Sequence, residues 1–236
     1  MVAMDGPSGT GKTTVARKLA DRLSAGYLDT GAMYRVVTLA VLRAGVDPAD
    51  SAAVAELASQ VGLGIGTVPG QPEITLDGQD VGAAIRAGDV TSAVSAVSSV
   101  PEVRELLVAE QRRIVGRVLG ETGGIVVEGR DIGTVVVPDA PLKIFLTADA
   151  AVRAARRSSQ DTAAGRKSSV DQARESVERR DHLDSTRATS PLRAADDAVR
   201  VDTTQLSIDQ TIVALCELAS QRGMLAPCTA AAEASR

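Results

Sequence analysis

The residues Gly6-Pro7-Ser8-Gly9-Thr10-Gly11-Lys12-Thr13 fit the pattern Gly-x-x-x-x-Gly-Lys-[Ser/Thr]. The spacing has a chemical reason. Glycines let consecutive backbone N–H groups converge on one anion, and a helix starting at the end of the loop turns its positive pole to the same point. Lys12 can then reach the β- and γ-phosphates of a nucleoside triphosphate, and the Thr13 hydroxyl can ligate Mg²⁺. The stretch from Gly6 to Thr14 is therefore expected to cradle the phosphates of a nucleotide. A glycine-rich turn that matched by chance would lack the right flanks. Here the apolar run Val2-Ala3-Met4 precedes the loop and reads as a buried strand, the central one of its sheet. Val15, Leu19 and Leu23 follow on one helical face.

The cations are lopsided, with 22 Arg against 4 Lys. Codon bias in an Ala-, Val- and Gly-rich chain explains part of this. Planar guanidinium forks suited to phosphate explain the rest. Bringing two polyphosphates together juxtaposes groups that each carry about −1.5 to −2 charges at pH 7, which only fixed cations can offset. A solvated surface is the default reading for any one arginine. It fits less well for Arg35, one turn into the helix after the second strand, and for Arg130, at the end of the strand containing Val126. Both strand ends face the side where an open parallel sheet binds ligand. Arg153, Arg156, Arg157, Arg174, Arg179 and Arg180 flank a polar stretch that could close as a lid. His182 is the only histidine and reads as a helix-surface residue. An acceptor that is already an ionised phosphate needs no base, only positioning and charge stabilisation. An Asp serves as base in other kinases, so the scarcity of His does not decide the acceptor alone.

Absences narrow the chemistry further. A net charge of −4 argues against a general nucleic-acid binder. With no Trp and one Phe there is no aromatic platform for single strands. The lack of Asn excludes N-glycosylation and the Asn-Lys-x-Asp guanine reader. No apolar run approaches the ~20 residues that span a bilayer, and the N-terminus shows no basic region followed by an apolar stretch. Cys216 and Cys228 read as reduced thiols. The expectation is a cytoplasmic monomer that meets small molecules and neither nucleic acid nor membrane. Of the 236 residues, 44% are hydrophobic and 24% charged, enough for a buried core.

The elements that must position these residues alternate. Tyr27-Leu28 leads into Asp29, and a helix spans about 32–44 with Met33, Val37, Ala40 and Val41 inward. Residues 58–96 change character. Val61, Leu63 and Ile65 alternate with strand glycines (Gly62, Gly64, Gly66), and Ile74 and Leu76 precede the hairpin signal Asp77-Gly78. This reads as a small antiparallel insert. Val90, Val94 and Val97 have helical spacing, and Pro101 opens a further helix. Ile125-Val126-Val127 is a buried strand that delivers Glu128-Gly129-Arg130-Asp131, and 142–146 is the next. Residues 158–169 read as a polar loop, 199–201 as a last strand, and Ser207 to Gln210 as a capping box. The pattern predicts an α/β fold of three layers with a mostly parallel sheet. Residues 226–236 are expected to be a disordered tail.

The assembled residues resemble the bacterial cytidylate kinases, a branch of the nucleoside monophosphate kinase family. The matching segments are Asp5 to Thr13, Leu28-Asp-Thr-Gly-Ala-Met-Tyr-Arg35, Glu128-Gly-Arg-Asp-Ile-Gly-Thr-Val-Val136, Pro138 to Leu146 and Arg180-Asp-His-Leu-Asp-Ser-Thr-Arg187. They cover the chain from Val2 to about Leu225. The resemblance implies ATP + CMP ⇌ ADP + CDP with Mg²⁺, and dCMP as a second acceptor. It implies a phosphate-loop kinase core at 1–57 and 97–225, a lid at about 151–168, and a CMP-binding insert at 58–96. Lys12, Arg130 and Arg157 are the implied catalytic cations. Arg35 and Arg130 would hold the acceptor phosphate, in a site that includes Thr30 and Tyr34. Asp131, Ser95 and Arg104 would read cytosine, Arg180 and Asp184 would lie near the ribose, and Arg187 near phosphate or base. The base reading makes chemical sense, because cytosine offers an N4 amino donor to a carboxylate where uracil turns a carbonyl.

The sequence departs mildly from the family. Thr30 stands where some members have Ser, and Thr13-Thr14 where others have Gly-Thr. The lid matches loosely. Asp29 could orient a Mg²⁺-bound water or cap the next helix. Two other readings stand beside the CMP kinase. A kinase of a small hydroxy compound, shikimate-type, would need Gly129-Arg130-Asp131 to clamp an acceptor carboxylate. A non-catalytic ATP-binding module would not need Lys12, Thr13 and the full arginine set.

Overall fold

The structure is a computed structural model that describes residues 1–71, 73–163, 165 and 169–224. The chain runs β1 (Val2–Asp5), α1 (Lys12–Arg22), β2 (Gly26–Asp29), α2 (Thr30–Arg43) and α3 (Ser51–Ala58). Next come β3 (Leu63–Ile65), β4 (Ile74–Leu76), β5 (Gln79–Asp80), α4 (Gly88–Val97), α5 (Pro101–Thr122) and β6 (Ile125–Glu128). A single wide helical turn, Ile132–Val136, leads to β7 (Leu142–Thr147), α6 (Ala150–Ala163), α7 (Val170–Thr186), β8 (Val199–Asp202) and α8 (Ile208–Gln221).

Five strands form an all-parallel sheet in the order β2-β6-β1-β7-β8. β1 is central, as its unbroken apolar run predicts, since such strands are buried on both faces. Val2 and Met4 face a layer made by α1 and α8, with Leu19, Leu142, Ile144 and Leu215 in one cluster. Ala3 faces the opposite layer, where Met33, Val37, Val103, Leu107 and Val127 pack. The three layers of the sequence reading are therefore present. β1, β2 and β6 each end on an acid, Asp5, Asp29 and Glu128, at the ligand-binding edge of the sheet.

The antiparallel sheet β3-β4-β5 turns at Asp77-Gly78, both with positive φ. It packs through Ile74, Leu76 and Val81 onto Ala32, Val36 and Leu39. α2 thus serves two cores, one on each face. The capping box at Ser207–Gln210 is formed. Among the described residues, no helix is long and apolar enough to cross a membrane.

Three readings need correction. Residues 158–163 are not loop but the end of α6. Ser159 and Thr162 donate to the carbonyls of Ala155 and Ser158, and Arg157 pairs with Asp161 four residues on, so polar side chains find partners inside the helix. Only Gly64 lies within a strand, with Gly62 and Gly66 just outside it. α3 was not read from the sequence, because its eight residues are too few to show a period; Asp50 caps it. Part of the expected lid (164 and 166–168), the expected tail at 226–236, and Cys228 lie outside the described residues.

Candidate active site

The glycine loop takes its shape from close approaches. Gly6 has φ 147°, and a Cβ there would lie 2.3 Å from the Leu146 carbonyl oxygen, so no side chain fits. Gly9 (φ 79°) lies against the backbone of Arg153 in the same way. Lys12 folds back over the loop, and Nζ donates to the Pro7 carbonyl at 2.7 Å. Burial, followed by the Arg130 cation, holds the Lys12 ammonium well below its ordinary pKa. Ser8, Gly9, Gly11, Lys12, Thr13 and Thr14 line one wall of a chamber. Gly6, Pro7 and Thr10 do not line it; they shape the loop from behind.

The same chamber is lined by Asp29, Arg35, Arg130, Arg157 and Arg180. Asp29 acts as the cap of α2, its Oδ1 accepting from the Ala32 N–H at 2.9 Å. Four further residues belong with the site and stand out in no motif reading of the sequence. Glu128 and Arg86 line this chamber. Glu128 is buried against Tyr27, whose hydroxyl donates to it. Its carboxyl is pushed up from the ordinary range by burial and then by the charge of Asp29. Asp181 accepts from the Ser8 N–H at 2.9 Å and pairs with Arg153. The fourth is Asp5. Glu128 and Asp181 each lie inside a matched segment beside an arginine already singled out, and that position was the available signal. Arg86 carries none.

A second chamber adjoins the first. All ten residues expected at the acceptor line it: Thr30, Tyr34, Arg35, Ser95, Arg104, Arg130, Asp131, Arg180, Asp184 and Arg187. They come from five stretches of chain. The Arg104 guanidinium lies over the Tyr34 ring, 5.3 Å from its centroid, donates to the Ser98 carbonyl at 3.1 Å and pairs with Asp131. Arg130 Nε donates to Asp184 Oδ2 at 3.0 Å. Arg187 Nε donates to the Ser190 carbonyl, and its Nη2 lies 4.0 Å from Asp131.

The charges point to an anionic occupant. Burial, then the neighbouring Arg180 and Arg157, pulls Arg35 down to about 9. Burial, then Arg130, pulls Arg180 to about 10. Among the described residues, Arg104 Nε, Arg180 Nε and Arg187 Nη2 are buried without a hydrogen-bond partner, and all three residues line the second chamber. Buried donors of this kind call for ligand acceptors or ordered water. Arg35, Arg130 and Arg180 line both chambers, so the cations stand where the two meet.

A glycine cradle joining the central strand of a parallel sheet to a helix, opening toward a wall of arginine, defines a phosphate-loop kinase. The sequence agrees in finer detail. The chain belongs to the cytidylate kinase family, whose profile matches residues 2–221. It is 59% identical over 222 residues to a cytidylate kinase of Rhodococcus jostii (strain RHA1), covering 94% of this chain and 95% of that protein. It is 57% identical to a cytidylate kinase of Nocardia farcinica (strain IFM 10152), covering 94% of each. Among solved structures, an uncharacterized protein from Eubacterium ventriosum ATCC 27560 is similar in fold alone. That match has a TM-score of 0.50 and 13% identity, over 93% of this chain and 97% of the other.

Proposed function

We propose that this protein transfers the γ-phosphoryl group of ATP to the phosphate of CMP, and of dCMP, giving CDP or dCDP and ADP. The observation that carries the proposal is the shared arginine wall. Arg35, Arg130 and Arg180 touch both the glycine-loop chamber and the second chamber, so two anionic groups can be held head to head. In the transfer, the bond from the γ-phosphorus to the β,γ-bridging oxygen breaks. A bond to an oxygen of the acceptor phosphate forms, and the charge passes to ADP. Lys12, Arg130 and Arg157 are the cations that stabilise this charge. No proton has to be removed from an ionised phosphate, so positioning and electrostatics suffice.

Mg²⁺ fits the donor set. The Thr13 hydroxyl and two carboxylates, Asp29 and Glu128, line the loop chamber. The burial and like charge that raise Glu128 would be relieved by a divalent cation. Such a hard ion keeps several waters and binds through few carboxylates plus substrate phosphates. Held there by Thr13 with Asp29 and Glu128, the ion would supply positive charge to offset that of the transferring phosphoryl group.

Asp131, with Ser95 and Arg104, reads the base. A uracil carbonyl set against the carboxylate costs about 1–3 kcal/mol, about fivefold to more than a hundredfold in preference. Arg180 and Asp184 meet the ribose. The insert at 58–96 supplies Arg86 and Ser95, and the segment at 151–168 supplies Arg157, consistent with an acceptor insert and a lid. We place the protein in the cytoplasm as a monomer. A coupled ADP-release assay with ATP and CMP, dCMP, UMP, AMP, GMP or shikimate tests the reading. CMP and dCMP should lead the panel; phosphorylation of CMP no faster than of shikimate would overturn it.

A further inference from the structure

Asp5 ends β1 and directly precedes the glycine loop, yet it lines neither chamber. It is buried, and both of its oxygens are used. Oδ1 accepts from the Ile132 N–H at 2.8 Å and Oδ2 from the Gly133 N–H at 2.8 Å. These two donors open the helical turn Ile132–Val136, and Asp131 stands at its N-cap position. An aspartate there ordinarily turns its own carboxylate onto the first free N–H groups of the turn. Asp131 does not. Its side chain makes no capping bond; it points instead to Arg104 and the second chamber.

We infer that Asp5 is a positioning residue for base selection: by occupying the Ile132 and Gly133 N–H groups from another strand, it leaves the Asp131 carboxylate to Arg104 and the acceptor base. The inference rests on the reading of Asp131 as the group that meets cytosine N4. Its physical content is a competition. Without Asp5, two buried donors beside Asp131 lose their acceptor, and the closest replacement is Asp131 itself. Each turn of Asp131 onto its own backbone removes an acceptor from the base and leaves Arg104 buried without its anion. Asp5 therefore ties selectivity for the acceptor to the strand that carries the donor's phosphate loop.

A loop staple with no such role would also be buried and hydrogen-bonded, so the test must separate the two. Asp5→Asn is compared with wild type in kcat/KM for CMP and UMP and in KM for ATP, alone and in an Asp131→Ala background. The expected result is a fall of about tenfold or more in the preference for CMP over UMP, with KM for ATP within about twofold. In the Asp131→Ala background, Asp5→Asn should change that preference by less than about twofold, because it acts through the missing carboxylate. An unchanged preference in the single variant overturns the inference. So does an equal loss in both backgrounds. If Asp5→Asn does not fold, Asp5→Glu, which keeps the charge and displaces the oxygens by one methylene, is read by the same criteria. Wild-type protein inert toward CMP overturns the functional reading together with this inference. Active wild type with an indifferent Asp5 variant overturns the inference alone.

Discussion

Arg35 Nη1 donates to the Thr91 hydroxyl at 3.0 Å, across the seam between α2 and α4, and to the Ile85 carbonyl at 2.9 Å. Both acceptors are uncharged, so they aim the guanidinium without neutralising it. The cation is kept for a ligand. Charge-assisted hydrogen bonds are worth about 1.5–3 kcal/mol, and removing one should cost about tenfold to a hundredfold in affinity. Arg35→Ala should raise KM for CMP by that factor and KM for ATP by much less. Thr91→Val should give a weaker effect of the same kind. Steady-state kinetics with each substrate varied in turn checks this, and a larger rise in KM for ATP than in KM for CMP would assign Arg35 to the donor.

Lys12 is buried, and burial presses on its charge. It is held by the Pro7 carbonyl and faces the arginine wall. A residue retained at such a cost to its charged form belongs to function, not to the core. Lys12→Ala should lower kcat by about 10²- to 10³-fold, the range seen when one stabilising donor is removed from a reacting centre. The melting temperature should hold or rise. A folded variant with wild-type kcat would remove Lys12 from the transfer.

The phosphate loop could be read directly because its chemistry is local: glycine spacing, a strand before it and a helix after it fall within about twenty residues. The acceptor chamber could be read only in fragments, Leu28 to Arg35, Glu128 to Val136 and Arg180 to Arg187, which the fold then brings to one cavity. What stayed hidden depends on contacts that exist only after folding. Asp5 looks like one more polar residue at a loop edge until its oxygens meet N–H groups 127 and 128 positions away. Asp181 stands next to Arg180 in the sequence, but its bond to the Ser8 N–H exists only once α7 packs back on the loop. The Ser and Thr residues near the end of α6 look like loop by composition, because nothing in a composition shows a hydroxyl bonded to the carbonyl four residues behind it.

Arg104 and Asp131 form a pair with side chains 3% and 5% exposed. Breaking a buried pair from one side leaves an unpaired charge and costs about 3–5 kcal/mol, whereas replacing both partners with apolar groups is often neutral. Asp131→Ala should therefore lower both stability and CMP selectivity. Arg104→Met with Asp131→Leu should recover most of the stability and none of the selectivity. Denaturant melts and the CMP-to-UMP ratio, measured on the same preparations, separate the two contributions. Recovery of selectivity in the double variant would show that the pair holds the fold and does not read the base.

The Asp5 carboxyl carries a pH dependence that denaturation can detect. Burial raises its pKa from 3.8 to about 6; the Gly133 and Ile132 N–H groups and Lys12 oppose this, while Asp131 adds to it. The folded state thus binds this proton more tightly than the unfolded chain. The group's favourable contribution is complete below pH 4 and is lost as pH rises through 6, after which it is flat. A shift of this size corresponds to about 3 kcal/mol. Asp5→Asn has no such titration. Wild-type stability relative to the variant should fall by up to that amount between pH 4 and pH 7 and then level off. Urea unfolding of both proteins at half-unit pH intervals gives the difference directly, and a difference that grows with pH would mean that hydrogen bonding to the ionised carboxylate outweighs its desolvation.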